Sequence, residues 1–168
     1  MKFNEFYSLT IVHSRDIILV KGVDYMNITK QKSQKTFDKQ AADYDTNIQG
    51  EHARKLYKPI IENLKNKNIH SILDLGCGTG ALLKEIKELN IAEQLFGIDI
   101  SPNMLEIAKN KLGNDATLIL GDSERLPFED SSFDAIVCND SFHHYPQPDI
   151  VEKEVSRCLK QNGVFIIG

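Results

Sequence analysis

The sequence contains no tryptophan and only three cysteines, Cys77, Cys138 and Cys158. None of the three belongs to a C-x-x-C pair and their number is odd, so they supply neither a disulfide framework nor a zinc site. No metal is expected. Such cysteine usage suits a reducing compartment, and the expected location is the cytoplasm. Long apolar runs are also missing: none approaches the length of a membrane span. The first residues lack the cationic start, apolar stretch and small-residue cleavage site of a signal peptide. An excess of positive charge is absent as well. The net charge of −4 argues against a nucleic-acid partner, which would require a dense basic footprint. The charge is uneven, lysine-rich before residue 76 and acid-rich after it. Solvated helices produce that pattern more often than an interaction face does.

What is present describes one soluble domain. A chain of 168 residues with 41% hydrophobic and 26% charged residues can bury one core but not two. Residues 1–25 stand apart as an extension, with Ile17-Ile18-Leu19-Val20 able to form a lone strand. Residues 26–68 read as an N-terminal helical lid. Phe37, Ala41 and Tyr44 share one face of a helix expected over Thr29–Asp45. Leu56, Ile60 and Leu64 share one face of a second over Glu51–Asn66, with Pro59 as a point of kinking.

From residue 69 onward strands and helices alternate. Strands are expected at Ser71–Leu75, Gln94–Asp99, Ala116–Leu120, Phe133–Cys138 and Gly163–Ile167. Helices are expected at Gly80–Leu89, Pro102–Lys111 and Asp149–Lys160, the second capped by Ser101 with Pro102 in its first position. Near-continuous apolar strands between amphipathic helices specify an α/β fold, a Rossmann-like, doubly wound parallel sheet of strand order 3-2-1-4-5. Ligands of such sheets bind at the carboxyl ends of the strands.

Three glycines follow the first strand at alternate positions, Gly76, Gly78 and Gly80. Glycine there allows positive φ and close approach of a ligand to the backbone. The N–H groups at the following helix start favour an anion, either a pyrophosphate or a carboxylate. Gly76, Gly78 and Ala81 also satisfy a loose dinucleotide pattern, so the glycines alone do not choose. Asp74 helps to choose: an acid before the first glycine would repel a pyrophosphate and suits a ligand bearing an ammonium. The alternative is an aspartate that only caps local backbone. Cys77 reads as a small residue presenting its backbone, because no base stands beside it.

Asp99 ends the second strand, at the spacing for an acid that accepts from both ribose hydroxyls. Ile100 could pack on an adenine face, and Met104 could line the same side or simply fill the core. Asp122, after the third strand, could accept from an adenine amino group, or it is a turn aspartate. Asp74, Asp99 and Asp122 all fall at strand carboxyl ends, where one crevice would gather them.

The runs Asp74-Leu-Gly-Cys-Gly-Thr-Gly80, Gly97-Ile-Asp99-Ile-Ser101, Gly121-Asp122-Ser-Glu-Arg-Leu-Pro-Phe128 and Phe133-Asp134 resemble the successive motifs of class I S-adenosylmethionine-dependent methyltransferases. Phe37-Asp-Lys-Gln-Ala-Ala-Asp-Tyr44-Asp45 is similar to the N-terminal helix motif of the branch that includes ubiquinone and menaquinone biosynthesis enzymes. The resemblance covers Phe37 to Gly168. It implies S-adenosylmethionine as cofactor and a small-molecule methyl acceptor as partner. It places Gly76, Gly78 and Gly80 against the methionyl part, Asp99 on the ribose, Asp122 on the adenine amine and Ser123 beside the ring. Asn139 would lie near the sulfonium, and Tyr44 would come from the lid. For Tyr44 the alternative is plain helix packing.

No catalytic residue follows from the resemblance. His143 and His144 come after the fourth strand and could serve as a base, or they are structural histidines beside Phe142 and Tyr145. The family fold continues beyond the fifth strand through a further helix and two strands, so strands six and seven are expected to be missing here. A cofactor-binding module without turnover is therefore a second reading, and a nicotinamide-dependent oxidoreductase a third. The edge of strand five would favour self-association. Lys21-Gly22-Val23 can be encoded with a purine run like a bacterial ribosome-binding site, which makes Met26 the expected physiological start.

Overall fold

The computed structural model describes residues 22–48 and 50–168. Five parallel strands lie in the order β3-β2-β1-β4-β5, as the alternation predicts. They are β1 (Ile69–Leu75), β2 (Ala92–Asp99), β3 (Ala116–Leu120), β4 (Phe133–Cys138) and β5 (Leu159–Ile167). The helices between them are α3 (Ala81–Glu88), α4 (Pro102–Leu112) and α5 (Pro148–Cys158), preceded by α1 (Gly22–Gln40) and α2 (Glu51–Leu64). The strand order reverses between β1 and β4, which opens a crevice above their carboxyl ends.

Period-two alternation sorts the central strands onto two cores. Ile72, Ala135 and Val137 pack on one face with Leu82, Leu83 and Ile86 of α3 and with Ile60, Ile61 and Leu64 of α2. Leu73, Leu75 and Ile136 pack on the other face with Val151, Val155 and Cys158 of α5. Each fully buried aliphatic side chain contributes roughly 1.5–3 kcal/mol. The α2 residues of the first core show that this helix shares the main hydrophobic core, although the sequence reading grouped it with the lid.

Local signals fix the element ends. The Ser101 hydroxyl accepts the Met104 N–H at 3.1 Å, Pro102 opens α4, and Gly113 ends it at φ 56°. Pro148 opens α5, whose Val151, Val155 and Cys158 recur at i, i+4 and i+7 on the buried side.

Several boundaries differ from the sequence expectation. The first helix runs from Gly22 to Gln40 and closes in a 3₁₀ turn at Ala41–Asp43, where Thr29–Asp45 was expected. The division drawn between residues 25 and 26 thus falls inside α1. The suggested strand Ile17–Val20 lies outside the described residues. α5 stops at Cys158 rather than Lys160, and β5 starts at Leu159 rather than Gly163. Leu159 pairs with Phe133, after which the register shifts until Val164 pairs with Ala135. This bulge depends on Gly163, since a Cβ there would lie 2.9 Å from the Lys160 carbonyl oxygen. A short 3₁₀ turn, Phe142–His144, follows β4 and was not anticipated.

Candidate functional site: a cleft at the carboxyl ends of the strands

A cleft opens over the carboxyl ends of the strands. Its floor is the loop after β1. Gly76 and Cys77 donate their N–H groups to the Ile98 carbonyl at 2.8 and 3.1 Å, and Gly80 donates to Cys77 at 2.9 Å. Gly76, Gly78 and Gly80 adopt φ of 69°, 52° and 72°, backbone that L side chains rarely take.

The three glycines do different things. A Cβ on Gly76 would lie 2.7 Å from Ser141, whereas one on Gly78 would meet nothing within 4 Å and project into free space. Gly76 and Gly78 line the cleft. Gly80 lies just behind them, at the start of α3. A Cβ on Gly80 would sit 2.8 Å from Leu112 and 3.1 Å from Ala108, so its task is close packing of α3 on α4.

The acids converge as their strand-end positions predict. Asp74 is 1% exposed, and its Oδ1 has no hydrogen-bond partner among the described residues. Burial first, and the neighbouring Asp99 second, hold its carboxyl well above the usual carboxylate range. Asp99 accepts from Gly78 N through Oδ2 and from Ser101 N through Oδ1, both at 2.8 Å. Burial raises Asp99 despite these bonds. Asp122 lines the cleft beside Gly121 and Ser123, and its Oδ1 accepts the Glu124 N–H at 2.9 Å.

Ile100, Met104, Asn139 and Tyr44 also line the cleft. Asn139 donates from Nδ2 to the Ala53 carbonyl at 3.3 Å, while its Oδ1 is a second buried oxygen without a partner among the described residues. Cys77 is buried and its thiol is pushed well up by that burial, in keeping with a residue that presents backbone rather than a nucleophile. Of the two histidines, His144 lines the cleft and His143 does not. Burial, then His143, lowers the pKa of His144.

The N-terminal segment covers the cleft through polar contacts with successive strand-end loops. Lys30 donates to Asp122 at 2.6 Å and to Glu124. Asp38 accepts from the Ser101 hydroxyl at 2.6 Å. Asp45 accepts from Thr79 and from Lys111, the latter at 2.7 Å. Phe37 meets His144 edge to face, 5.1 Å between centroids.

Sequence reasoning missed Lys30, Ser33, Tyr57, Thr79, Asp140, Ser141 and Tyr145, all of which line the cleft. Lys30, Ser33 and Phe37 stand at i, i+3 and i+7, so the helical face through Phe37, extended backward, would have found the first two. Tyr145 and Ser141 lie in a loop with no periodicity to read. They form a partly buried chain in which the Tyr145 hydroxyl bonds Ser141 at 3.0 Å and Ser123 at 3.2 Å, while Ser141 donates to the Leu75 carbonyl at 2.8 Å.

An open α/β sheet with a glycine loop after β1, acids at the carboxyl ends of β1, β2 and β3, and a helical cover defines a domain of the Rossmann-like methyltransferase type. Comparison with known proteins agrees. Residues 73–167 match the family described as methyltransferase domain, and the chain belongs to that family. It is 34% identical over 142 residues to demethylmenaquinone methyltransferase of Thermotoga maritima, covering 83% of this chain and 62% of that protein. It is 35% identical over 123 residues to sterol 4-C-methyltransferase strm-1 of Caenorhabditis elegans, covering 70% and 36%. Among solved structures, the YcgJ protein of Bacillus subtilis superposes with a TM-score of 0.63 at 28% identity, covering 68% of this chain and 50% of that one. The PH0226 protein of Pyrococcus horikoshii does so with 0.64 at 29%, covering 76% and 61%. The chain therefore spans about half the length of the relatives it matches. No helix among the described residues is long and apolar enough to cross a membrane.

Proposed function

We propose that this chain binds S-adenosylmethionine in the cleft and contributes to methyl transfer onto a small-molecule acceptor. The observation that carries the proposal is Asp74: a buried carboxylate at the cleft floor with an oxygen that has no donor among the described residues. Such an atom is costly unless a ligand supplies the missing donor. An α-ammonium group does so. A pyrophosphate would instead place negative charge beside Asp74, which argues against the nicotinamide reading.

The remaining groups fit the same ligand. Gly78 leaves room for it to touch the backbone, Asp99 can accept from the ribose, and Asp122 from the adenine amine. Ile100 and Met104 supply apolar wall to the ring, and Ser123 stands beside it. When bound, the sulfonium supplies an already activated methyl group. The chain's own work is then to orient the acceptor and exclude water, which the cover formed by α1 and the segment to Asp45 does. The three cysteines are free, which supports the cytoplasm as the compartment.

Calorimetry with S-adenosylhomocysteine and with NAD tests the proposal. S-adenosylhomocysteine should bind and NAD should not. Asp74→Asn should weaken the former by about 10- to 100-fold, the range for a charge-assisted hydrogen bond. Binding of NAD, or an unchanged affinity in a folded Asp74→Asn variant, would overturn it.

A further inference from the structure

One corner of the cleft holds a carboxylate that the cofactor does not need. Asp140 follows β4 and lines the cleft. Its backbone is left-handed, φ 51°, and its N–H donates to the Gly168 carbonyl at 3.0 Å. His52, in the first turn of α2, stands 2.9 Å from Asp140 Oδ1 through its Nδ1. Oδ2 accepts no hydrogen bond among the described residues. Three rings bound the same corner. Phe37 lies 5.1 Å from His144 and 6.4 Å from Tyr44, both edge to face. The charge of Asp140 acts on the Tyr44 hydroxyl and on the His144 ring alike.

Charge decides what this corner accepts. Among the described residues lining the cleft, the cationic candidates are Lys30 and His144. Lys30 is engaged with Asp122 and Glu124. At His144, burial and then His143 disfavour the charged form, against the pull of Asp140. A carboxylate or quinolate acceptor would face Asp140, with the Lys30 ammonium already engaged elsewhere. An ammonium would find a carboxylate beside aromatic rings, the combination that recognises organic cations.

We infer that the methyl acceptor is an amine, bound as its ammonium by Asp140 within the ring set of Phe37, Tyr44 and His144. The inference rests on the methyl-transfer reading above. The bound ammonium loses one proton to the Asp140–His52 pair. The freed nitrogen lone pair then forms the N–C bond as the donor's S–C bond breaks, leaving a methylated ammonium and a neutral thioether. His52 holds Asp140 in place and is a positioning residue, while Asp140 touches the acceptor.

The test is calorimetry on the chain saturated with S-adenosylhomocysteine, with phenethylammonium as probe. Phenethyl alcohol and phenylacetate serve as the neutral and anionic comparisons. The ammonium should bind at least tenfold more tightly than either. Asp140→Asn should abolish that preference, and His52→Gln should reduce it. Asparagine is chosen because it tolerates the left-handed backbone. Equal binding of the three probes, or a preference that survives in folded Asp140→Asn, overturns the inference. So does a loss of affinity in Asp140→Asn for S-adenosylmethionine but not for S-adenosylhomocysteine, which would assign the carboxylate to the sulfonium. Failure of S-adenosylhomocysteine itself to bind the unaltered chain would instead refute the methyl-transfer reading.

Discussion

Asp99 accepts the Gly78 N–H at 2.8 Å, so the carboxylate at the end of β2 holds the tip of the loop that follows β1. Its other oxygen accepts from Ser101 N at 2.8 Å, which ties it to the start of α4. A residue assigned to the ribose is thus also the anchor of the loop assigned to the methionyl part. Asp99→Ala should weaken S-adenosylhomocysteine by about 1–3 kcal/mol, the range for leaving polar groups unpaired. Asp99→Asn should be no milder, because one of its two heads is an amide donor facing a backbone donor. Calorimetry on folded variants checks both, and an unchanged affinity would remove Asp99 from the site.

Asp74 makes ligand binding pH-dependent in a definite direction. Burial, then Asp99, raises its pKa well above the usual range in the free protein. An ammonium beside it favours the ionised form and so lowers that pKa. Between the two values, binding must release a proton, and affinity must rise with pH. Titrations at mildly acidic pH in two buffers of different ionisation enthalpy measure the number of protons exchanged. Release is expected. Uptake, or no exchange in the unaltered protein when Asp74→Asn also shows none, would mean that no cation reaches Asp74.

Much of this was legible in the chain, for physical reasons that vary from element to element. The strand order and the meeting of Asp74, Asp99 and Asp122 follow from parallel crossovers, which bring every strand's carboxyl end to one side. The packing role of Gly80 was not legible, because spacing alone does not distinguish a glycine that admits a ligand from one that admits a neighbouring helix. Both roles remove a Cβ, and only the position of Leu112 and Ala108 separates them. The start of α1 was placed too late because Gly22 is a weak helix former and no cap signal precedes it. Glu124 belongs to the motif after β3 but carries no signal of its own. Its contacts with Lys30 and Gln147 join residues 94 and 23 positions away, beyond the reach of any periodicity.

The glycines offer a contrast between stability and binding. Gly80→Ala places a methyl group against Leu112 and Ala108 at φ 72°. It should cost about 2–4 kcal/mol of stability, combining left-handed backbone with overpacking. Gly78→Ala meets nothing within 4 Å and should cost only about 1–2 kcal/mol for its backbone. Its methyl group enters the cleft, so its loss of S-adenosylhomocysteine affinity should exceed that of Gly80→Ala measured well below the latter's unfolding temperature. Chemical denaturation and calorimetry on both variants decide the matter, and the reverse ordering in affinity would make Gly80 the closer of the two to the ligand.

At the opposite end of the sheet, Asp134 supports stability rather than binding. Its Oδ2 accepts from the backbone N–H groups of His70 and Ser71 at 3.0 and 2.8 Å, and Lys160 donates to both of its oxygens at 3.0 Å. Burial alone would raise its pKa, but the Ser71 N–H and the Lys160 ammonium outweigh burial and hold the carboxyl at about 2. A depressed folded-state pKa means stabilisation that is fully present above the unfolded value of about 3.9 and lost as pH falls through the folded one. Allowing for partial exposure to solvent, Asp134→Asn should cost ~1–2 kcal/mol near neutral pH. The gap between the two proteins should narrow as pH is taken from about 5 towards about 2, because the carboxyl of the unaltered protein then becomes neutral too. Denaturant unfolding across that range measures it, with S-adenosylhomocysteine affinity at neutral pH as the control. The affinity should not change, since Asp134 lies at the start of β4 and the cleft at its end. A gap independent of pH would show that the carboxylate charge contributes nothing to the clasp.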